Sequence, residues 1–258
     1  DLGYADVGFH GSDIRTPHLD RIASEGVRLE QFYVAPMCSP TRAGLMTGRY
    51  PIRFGLMRSV IPPQRNYGLD TGEDMLPEML GRAGYQYRGC FGKWHLGHAQ
   101  NKWRPTERGF THFVGCLNGA IDYFSHEREG ELDWHRNDEP NRDEGYATDL
   151  IAEAAVSFIE GVPLDEPYFA YVPFNAPHSP FQAKEEDIAR YPHRKGKSQV
   201  LAAMVDSMDQ GIGRILEAID DRGDADNTFV LFFSDNGGVR NVGANGRQRG
   251  SKLTVYQG

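Results

Sequence analysis

Cysteines are scarce in this sequence, and long apolar runs are missing altogether. Three of the 258 residues are cysteine, Cys38, Cys90 and Cys116, which is too few for a disulfide framework. Cys90 and Cys116 could pair, but we expect two buried free thiols. No run approaches the roughly 18 apolar residues of a membrane-spanning helix, so we expect no membrane span. The N-glycosylation sequence Asn-X-Ser/Thr does not occur either.

Positive charge is also in short supply. The 28 lysines and arginines face 36 acidic residues, which gives a net charge of −8 at pH 7. This balance argues against a nucleic-acid partner, because phosphate backbones demand basic faces. An anionic substrate would have to be attracted by a local cationic pocket, since the overall field repels it. With 39% hydrophobic residues, the chain is long enough for one large core.

The most informative stretch is Cys38-Ser39-Pro40-Thr41-Arg42. Proline fits the first turn of a helix, so the stretch predicts a helix that starts at Pro40 and runs through Met46. Cys38 would then lie at the positive end of the helix dipole, near free backbone N–H groups. Arg42 adds a permanently charged fork that suits an oxyanion. Taken alone, the stretch is equally compatible with a small buried cysteine.

Helix-like and strand-like segments alternate along the chain. This alternation predicts an α/β fold with three layers, α/β/α, around a large, mostly parallel mixed sheet. We expect helices over residues 17–25, 40–46, 75–83, 146–160 and 198–221, strands over residues 27–33, 85–91, 168–174 and 228–233, and long loops over residues 101–145.

Polar side chains follow three of the predicted strands. Lys93 and His95 come after one strand, His178 after another, and Asp235 with Asn236 after the last. Ligands of open α/β sheets bind beyond the carboxyl ends of the strands, so we expect these groups to meet at one site. Carboxylate and amide oxygens suit Ca²⁺ or Mg²⁺, although Asp-Asn-Gly-Gly is by itself more typical of a turn.

The stretch from Cys38 to Arg42 also fits the C-x-P-x-R signature of type I sulfatases, and its continuation to Tyr50 resembles the extended family signature. The resemblance covers nearly the whole chain through Gly92–Gly97, Asn175–His178, Ser234–Gly238 and Gly250–Lys252. Asn118–Glu127 further resembles the arylsulfatase B group, the N-acetylgalactosamine-4-sulfatases. The family belongs to the alkaline phosphatase superfamily, so the resemblance implies an alkaline phosphatase-like sheet.

The resemblance implies a sulfuric ester hydrolase whose Cys38 is converted to formylglycine by a formylglycine-generating enzyme. One hydroxyl of the aldehyde hydrate attacks sulfur, and the second hydroxyl later expels sulfate. An unmodified thiol lacks that second hydroxyl and could not complete the cycle. The implied catalytic residues are Cys38, Arg42, Lys93, His95 and His178; the implied substrate contacts are Lys93, His178 and Lys252; the implied ligands of Ca²⁺, with Mg²⁺ possible, are Asp1, Asp235 and Asn236.

The resemblance also sets expectations about the ends of the chain. In the family, the segment that Asp1 opens follows a buried first strand with two terminal aspartates, and Asp1 resembles the second of them. We therefore expect residues 1–258 to be an interior fragment of a sulfatase catalytic domain, without the first strand and the C-terminal domain. A location in the periplasm, outside the cell or in lysosomes is expected for the full-length protein.

The expected substrate is a sulfate monoester, with a sulfated glycan favoured over a lipid or steroid sulfate. Tyr123, Phe124, Trp134 and His135 offer flat faces on which a sugar could stack, although clustered aromatic rings more often form a core. Two other functions stay open. One is a phosphonate or phosphodiester hydrolase of the same superfamily, and the other is a non-catalytic anion-binding or glycan-binding fragment.

Overall fold

A five-stranded mixed sheet with helices on both faces forms the centre of the molecule, which a computed structural model describes over residues 1–258. The strand order is β6-β5-β2-β1-β7, with β1 parallel to β2 and β7, and β5 antiparallel to β2 and β6. The strands are β1 (Tyr87–Lys93), β2 (His112–Cys116), β5 (His135–Arg136), β6 (Glu139–Pro140) and β7 (Tyr168–Tyr171), and β3 (Glu127–Arg128) pairs with β4 (Glu131–Leu132) in a separate hairpin. The helices are α1 (Pro17–Glu25), α2 (Cys38–Thr47), α3 (Leu76–Arg82), α4 (Ala147–Gly161), α5 (Glu185–Ile188) and α6 (Gly196–Asp221).

Alternating side chains of the central strands enter two separate cores. Phe91 and Val114 pack with residues of α4 and α6 on one face. Cys90 and Phe113, their chain neighbours, pack with residues of α2 on the other face. Because successive strand residues point to opposite faces, this division makes the sheet the middle of three layers. The α/β/α architecture is therefore confirmed. None of the helices combines the length and the apolar character that crossing a lipid bilayer would require.

Most predicted helices and strands lie where the sequence places them. The first helix begins at Pro17 and is followed by Gly26, and the strand expected before Gly92 is β1. Helix α2 differs at its start, since it begins at Cys38, two residues before Pro40. Strand β2 was missed inside the expected loops of residues 101–145. Its five residues are too few to show a period, and four of them are buried.

The strands predicted over residues 27–33 and 228–233 are wrong. Both segments are irregular and largely exposed, with 87% of Val27 and 88% of Phe229 open to solvent. A strand needs a hydrogen-bonding neighbour, and an apolar cavity of about 970 Å³ separates β7 from residues 228–233. The sheet is consequently smaller than expected, and only β2, β1 and β7, at one side of it, are parallel.

Candidate active site

Cys38 is the first residue of α2 and is only 1% exposed. The preceding Met37 is extended, with φ −148° and ψ 157°, so the chain turns sharply into the helix at this point. Pro40 lies within the first turn, where its missing N–H has no cost. The thiol therefore lies at the helix N-terminus, where free backbone N–H groups and the dipole favour negative charge.

The cationic and imidazole groups around Cys38 favour a thiolate. Burial by itself raises the pKa of the thiol, but the charge of Lys93, together with the neighbouring side chains of His178 and His95, lowers it to about 3. Lys93 is fully buried near the end of β1, and burial lowers its own pKa while Cys38 counteracts that effect. This pocket stabilises one negative charge at position 38, although the whole chain is acidic.

Arg42 joins the ends of two chain segments. Its Nε and Nη2 atoms donate to Oδ2 of Asp235 at 3.0 and 2.7 Å, and its Nη1 atom donates to the Lys93 carbonyl at 2.6 Å. Burial alone raises the pKa of Asp235, but Arg42 and Lys93 hold it well below its usual range. The guanidinium group therefore orients site residues in this structure, and its fork does not point to a free oxyanion position.

Oxygen-bearing side chains from both ends of the chain meet beside Cys38. Asn236 donates from Nδ2 to Oδ1 of Asp1 at 2.8 Å, and Lys252 donates to the same oxygen at 2.5 Å. Oδ1 of Asn236 is buried and has no hydrogen-bond partner. A buried amide oxygen that lacks a donor, next to the carboxylates of Asp1 and Asp235, fits a hard divalent cation such as Ca²⁺ or Mg²⁺.

His178 faces the same cluster from the segment that follows β7. Its Nδ1 atom donates to the Ser179 carbonyl at 2.6 Å, which leaves Nε2 free to exchange a proton. Nε2 lies 3.7 Å from Oδ2 of Asp1, and single ligand atoms of Asp1, Cys38 and His178 lie within 4.8 Å of one another. Burial, followed by the charge of Lys93, lowers the pKa of His178 to about 4.

His95 lies on the other side of the thiol. Its ring is buried, with Nε2 at 3.1 Å from the carbonyl oxygen of Ile61. Burial lowers its pKa to about 4, while the neighbouring Cys38 acts in the opposite direction. The imidazole is therefore neutral at pH 7 and can accept a proton near position 38.

The sulfatase family model matches this chain over residues 1–258. The chain belongs to the sulfatase family. This sulfatase is 36% identical to arylsulfatase J of Mus musculus over 268 residues, which cover all of this chain and 45% of the relative. It is 34% identical to N-acetylgalactosamine-6-sulfatase of Homo sapiens over 284 residues, which cover all of this chain and 53% of that protein. The chain spans about half the length of these curated relatives.

A solved structure described as Ps i-CgsB in complex with k-i-k-neocarrahexaose is also similar to this sulfatase. The two share 34% identity at a TM-score of 0.92, over all of this chain and 61% of that one. PsFucS1 sulfatase from Pseudoalteromonas sp. matches with a TM-score of 0.83 at 24% identity and supports the fold alone. The expected family and the α/β fold are both confirmed.

The structure of this sulfatase brings the residues that the sequence indicated into one cluster, and it adds others that the sequence did not indicate. Ser39 donates to the His95 carbonyl at 2.9 Å, and the Tyr123 hydroxyl donates to the His178 carbonyl at 2.9 Å. Both contacts go to backbone oxygens, which carry no sequence signal. Among the aromatic side chains on which a sugar was expected to stack, Tyr123 and Trp134 are buried and belong to the core. Phe124 remains half exposed.

Proposed function

We propose that this chain is part of the catalytic domain of a sulfuric ester hydrolase that removes sulfate from a sulfated glycan. The observation that carries the proposal is the position of Cys38, which begins a helix and lies between Lys93, His95 and His178. A site that stabilises a negative charge on this side chain is also suited to an anionic nucleophile and an anionic ester.

Each residue around position 38 has a role that its charge or its free ring nitrogen permits. Lys93 neutralises the sulfate oxygens together with Lys252, which pairs with Asp1 in this structure, and Arg42 holds Asp235 in place. His178 protonates the leaving oxygen through Nε2 in its doubly protonated form, which the negative charge of a bound ester would favour, while its Nδ1–H stays engaged by Ser179. His95 accepts a proton at position 38. Formylglycine at position 38 supplies the nucleophilic hydroxyl group, and an unmodified thiol does not.

A divalent cation is the second group that the family uses and that this site would hold. Asp1, Asp235 and Asn236 are the proposed ligands, and Ca²⁺ is the proposed ion, with Mg²⁺ as the alternative. The buried Oδ1 of Asn236, which lacks a hydrogen-bond partner, supports this assignment. The cation would supply positive charge to the nucleophile and to the ester oxygens.

A glycan substrate is supported by the charge distribution next to the site. Residues 31–69 contain no acidic residue, although the whole chain contains 36. Arg53, Arg58 and Arg65 in this segment are exposed and form no ion pair. The same segment reaches the site where Ile61 contacts His95. Such a local basic surface attracts a polyanion that the net charge of −8 would repel. The names of the relatives, which include an N-acetylgalactosamine-6-sulfatase, point to the same class.

The remaining parts of the proposal concern the biological setting. We place the full-length protein in the periplasm, outside the cell or in lysosomes, where polysaccharide sulfates occur. Its partner during maturation is a formylglycine-generating enzyme that reads Cys38, Pro40 and Arg42 in the extended chain. Residues 1–258 belong to one catalytic domain, of which they are an interior fragment.

The test is sulfate release from defined sulfated mono- and disaccharides by the full-length protein, coexpressed with a formylglycine-generating enzyme. Mass spectrometry of the peptide that contains Cys38 should show loss of sulfur, and only the converted protein should release sulfate. Turnover by unconverted protein would contradict the mechanism. Preferential cleavage of phosphonate esters would favour the hydrolase alternative, and glycan binding without turnover would favour a binding fragment.

The metal assignment has a matched control in the turn that follows Asn236. Asn245 accepts from the Gly238 N–H at 2.8 Å and stabilises that turn without contacting Asp1. We expect Asn236→Ala to abolish the activity that Ca²⁺ restores after chelation, and Asn245→Ala to reduce only the free energy of unfolding. Full activity after exhaustive chelation would contradict the metal role.

A further inference from the structure

His95 is held from four directions by groups outside the set that the sequence indicated. Its backbone N–H donates to the Leu117 carbonyl at 3.1 Å, and its own carbonyl accepts from Oγ of Ser39 at 2.9 Å. Its ring Nε2 lies 3.1 Å from the Ile61 carbonyl oxygen. A Cβ atom at Gly119 would lie 2.3 Å from Cε1 of the ring, so the bare Cα of Gly119 forms one wall.

These contacts determine which ring nitrogen of His95 carries the proton. A carbonyl oxygen only accepts hydrogen bonds, so Nε2 must be the protonated nitrogen that donates to Ile61. In a neutral imidazole, Nδ1 then holds the lone pair. Nδ1 is buried and has no hydrogen-bond partner, and Cys38 is one of the groups next to this ring.

Ser39 connects the two segments on which this arrangement depends. Its hydroxyl is fully buried, donates to the His95 carbonyl and accepts from the Ile61 N–H at 3.3 Å. It thereby fixes the backbone of Ile61 relative to that of His95. His95 has a φ of +60°, a left-handed conformation that a residue with a side chain keeps only where its neighbours impose it.

We propose that Ser39 is a positioning residue that holds His95 as the Nε2–H tautomer, with the Nδ1 lone pair left free of hydrogen bonds. The role of that lone pair as a proton acceptor rests on the proposed function. The tautomer itself follows from the hydrogen bonds of Ser39 and Ile61 and can be measured without turnover. Ser39 touches neither the substrate nor the reacting atoms in this assignment.

The tautomer is read from long-range ¹H–¹⁵N spectra of the chain labelled at histidine, at pH 7 and with Cys38 unmodified. We expect His95, assigned by its loss in His95→Gln, to show a pure Nε2–H pattern. Ser39→Ala should lose this pattern or mix it with the second tautomer. Ser39→Thr keeps the hydroxyl and should retain it. Thr47→Val is the matched control, because it removes another buried hydroxyl of α2, which donates to Ala43.

Kinetics on the full-length protein separate this proposal from the proposed function. With formylglycine content matched by mass spectrometry, we expect Ser39→Ala to lower kcat about 10-fold and to leave KM within about twofold, while Ser39→Thr restores kcat. If the wild-type protein releases no sulfate, the proposed function fails, and the spectra still decide the tautomer. A wild-type Nδ1–H pattern overturns the proposal whether or not Ser39→Ala folds. A pure Nε2–H pattern in folded Ser39→Ala overturns it as well.

Discussion

Cys38 and Cys116 are buried to nearly the same extent, at 1% and 0% exposure, yet their thiols ionise in opposite ways. The pKa of Cys116 is raised to about 12, chiefly by burial, despite a hydrogen bond from Asn175 to its sulfur at 3.3 Å. Burial acts on Cys38 in the same direction, but Lys93 and two imidazoles reverse it and bring the pKa to about 3. Burial also raises the pKa of the fully buried Cys90.

The difference teaches that a positive charge at close range, and not access to solvent, makes position 38 an anion site. Cys116 is the register partner of Lys93 on the adjacent strand, but burial and the charge of Asp133 raise its pKa more than Lys93 lowers it. A hydrogen bond from a neutral amide is too weak there to offset desolvation. Substitutions that remove the positive charge beside Cys38 should therefore make its thiol ionise more like that of Cys116.

The largest effect is expected from deleting the two sulfur atoms in turn. Cys38→Ala should lower sulfate release by the full-length protein at least about 10³-fold, because the precursor of the nucleophile is lost. Cys116→Ala should keep the activity and cost about 1 kcal/mol of unfolding free energy, since it leaves a small cavity. Equal losses of activity in the two variants would contradict the division between a reactive and a structural cysteine.

Removing the charge of Lys93 should raise the pKa of Cys38 towards that of Cys116. In the unconverted protein, the absorbance of a thiolate near 240 nm should persist at pH 5 and disappear in Cys38→Ala. In Lys93→Met the midpoint of that band should move up by about 1 to 3 pH units. An unchanged band in Lys93→Met would show that Lys93 does not hold the charge.

The imidazoles of the Cys38 pocket should make stability depend on pH. His95 and His178 both have a pKa lowered to about 4 in the folded state, chiefly by burial, so the unfolded chain binds more protons between pH 6.5 and pH 4. The stabilisation is therefore fully present above pH 6.5 and is lost as the pH falls towards 4. We expect this loss to be about 1 to 3 kcal/mol in urea titrations, and smaller in the double variant His95→Gln/His178→Gln. A flat profile would contradict it.

The smallest effect is expected at the hydrogen bond to Cys116. Asn175→Ala in a Cys38→Ala background should produce no thiolate band between pH 4 and pH 9, because burial continues to dominate at Cys116. The free energy of unfolding should fall by about 1 kcal/mol from the lost hydrogen bond. A band that appears or disappears with Asn175 would mean that a neutral donor can control ionisation here.

Local signals in the chain identify much of the fold and nearly all of the site. Helix α1 begins at a proline and is followed by a glycine, and the spacing of apolar residues indicates α4 and α6. These helices can therefore be predicted from residues close together in the sequence. The motif that begins at Cys38 and the polar groups after the strands indicate residues that the structure brings together, because carboxyl ends of strands meet at one edge of a sheet.

Tertiary contacts decide the rest, since they join residues that the sequence keeps far apart. Residues 27–33 and 228–233 alternate like strands, but without a hydrogen-bonding neighbour they stay irregular. The fork of Arg42 suits an oxyanion by its chemistry, yet Asp235, 193 positions later, occupies it. Ionisation of Cys38 likewise depends on Lys93, which no local pattern links to it. Local propensity and motif chemistry act over a few residues, whereas pairing, desolvation and charge act across space.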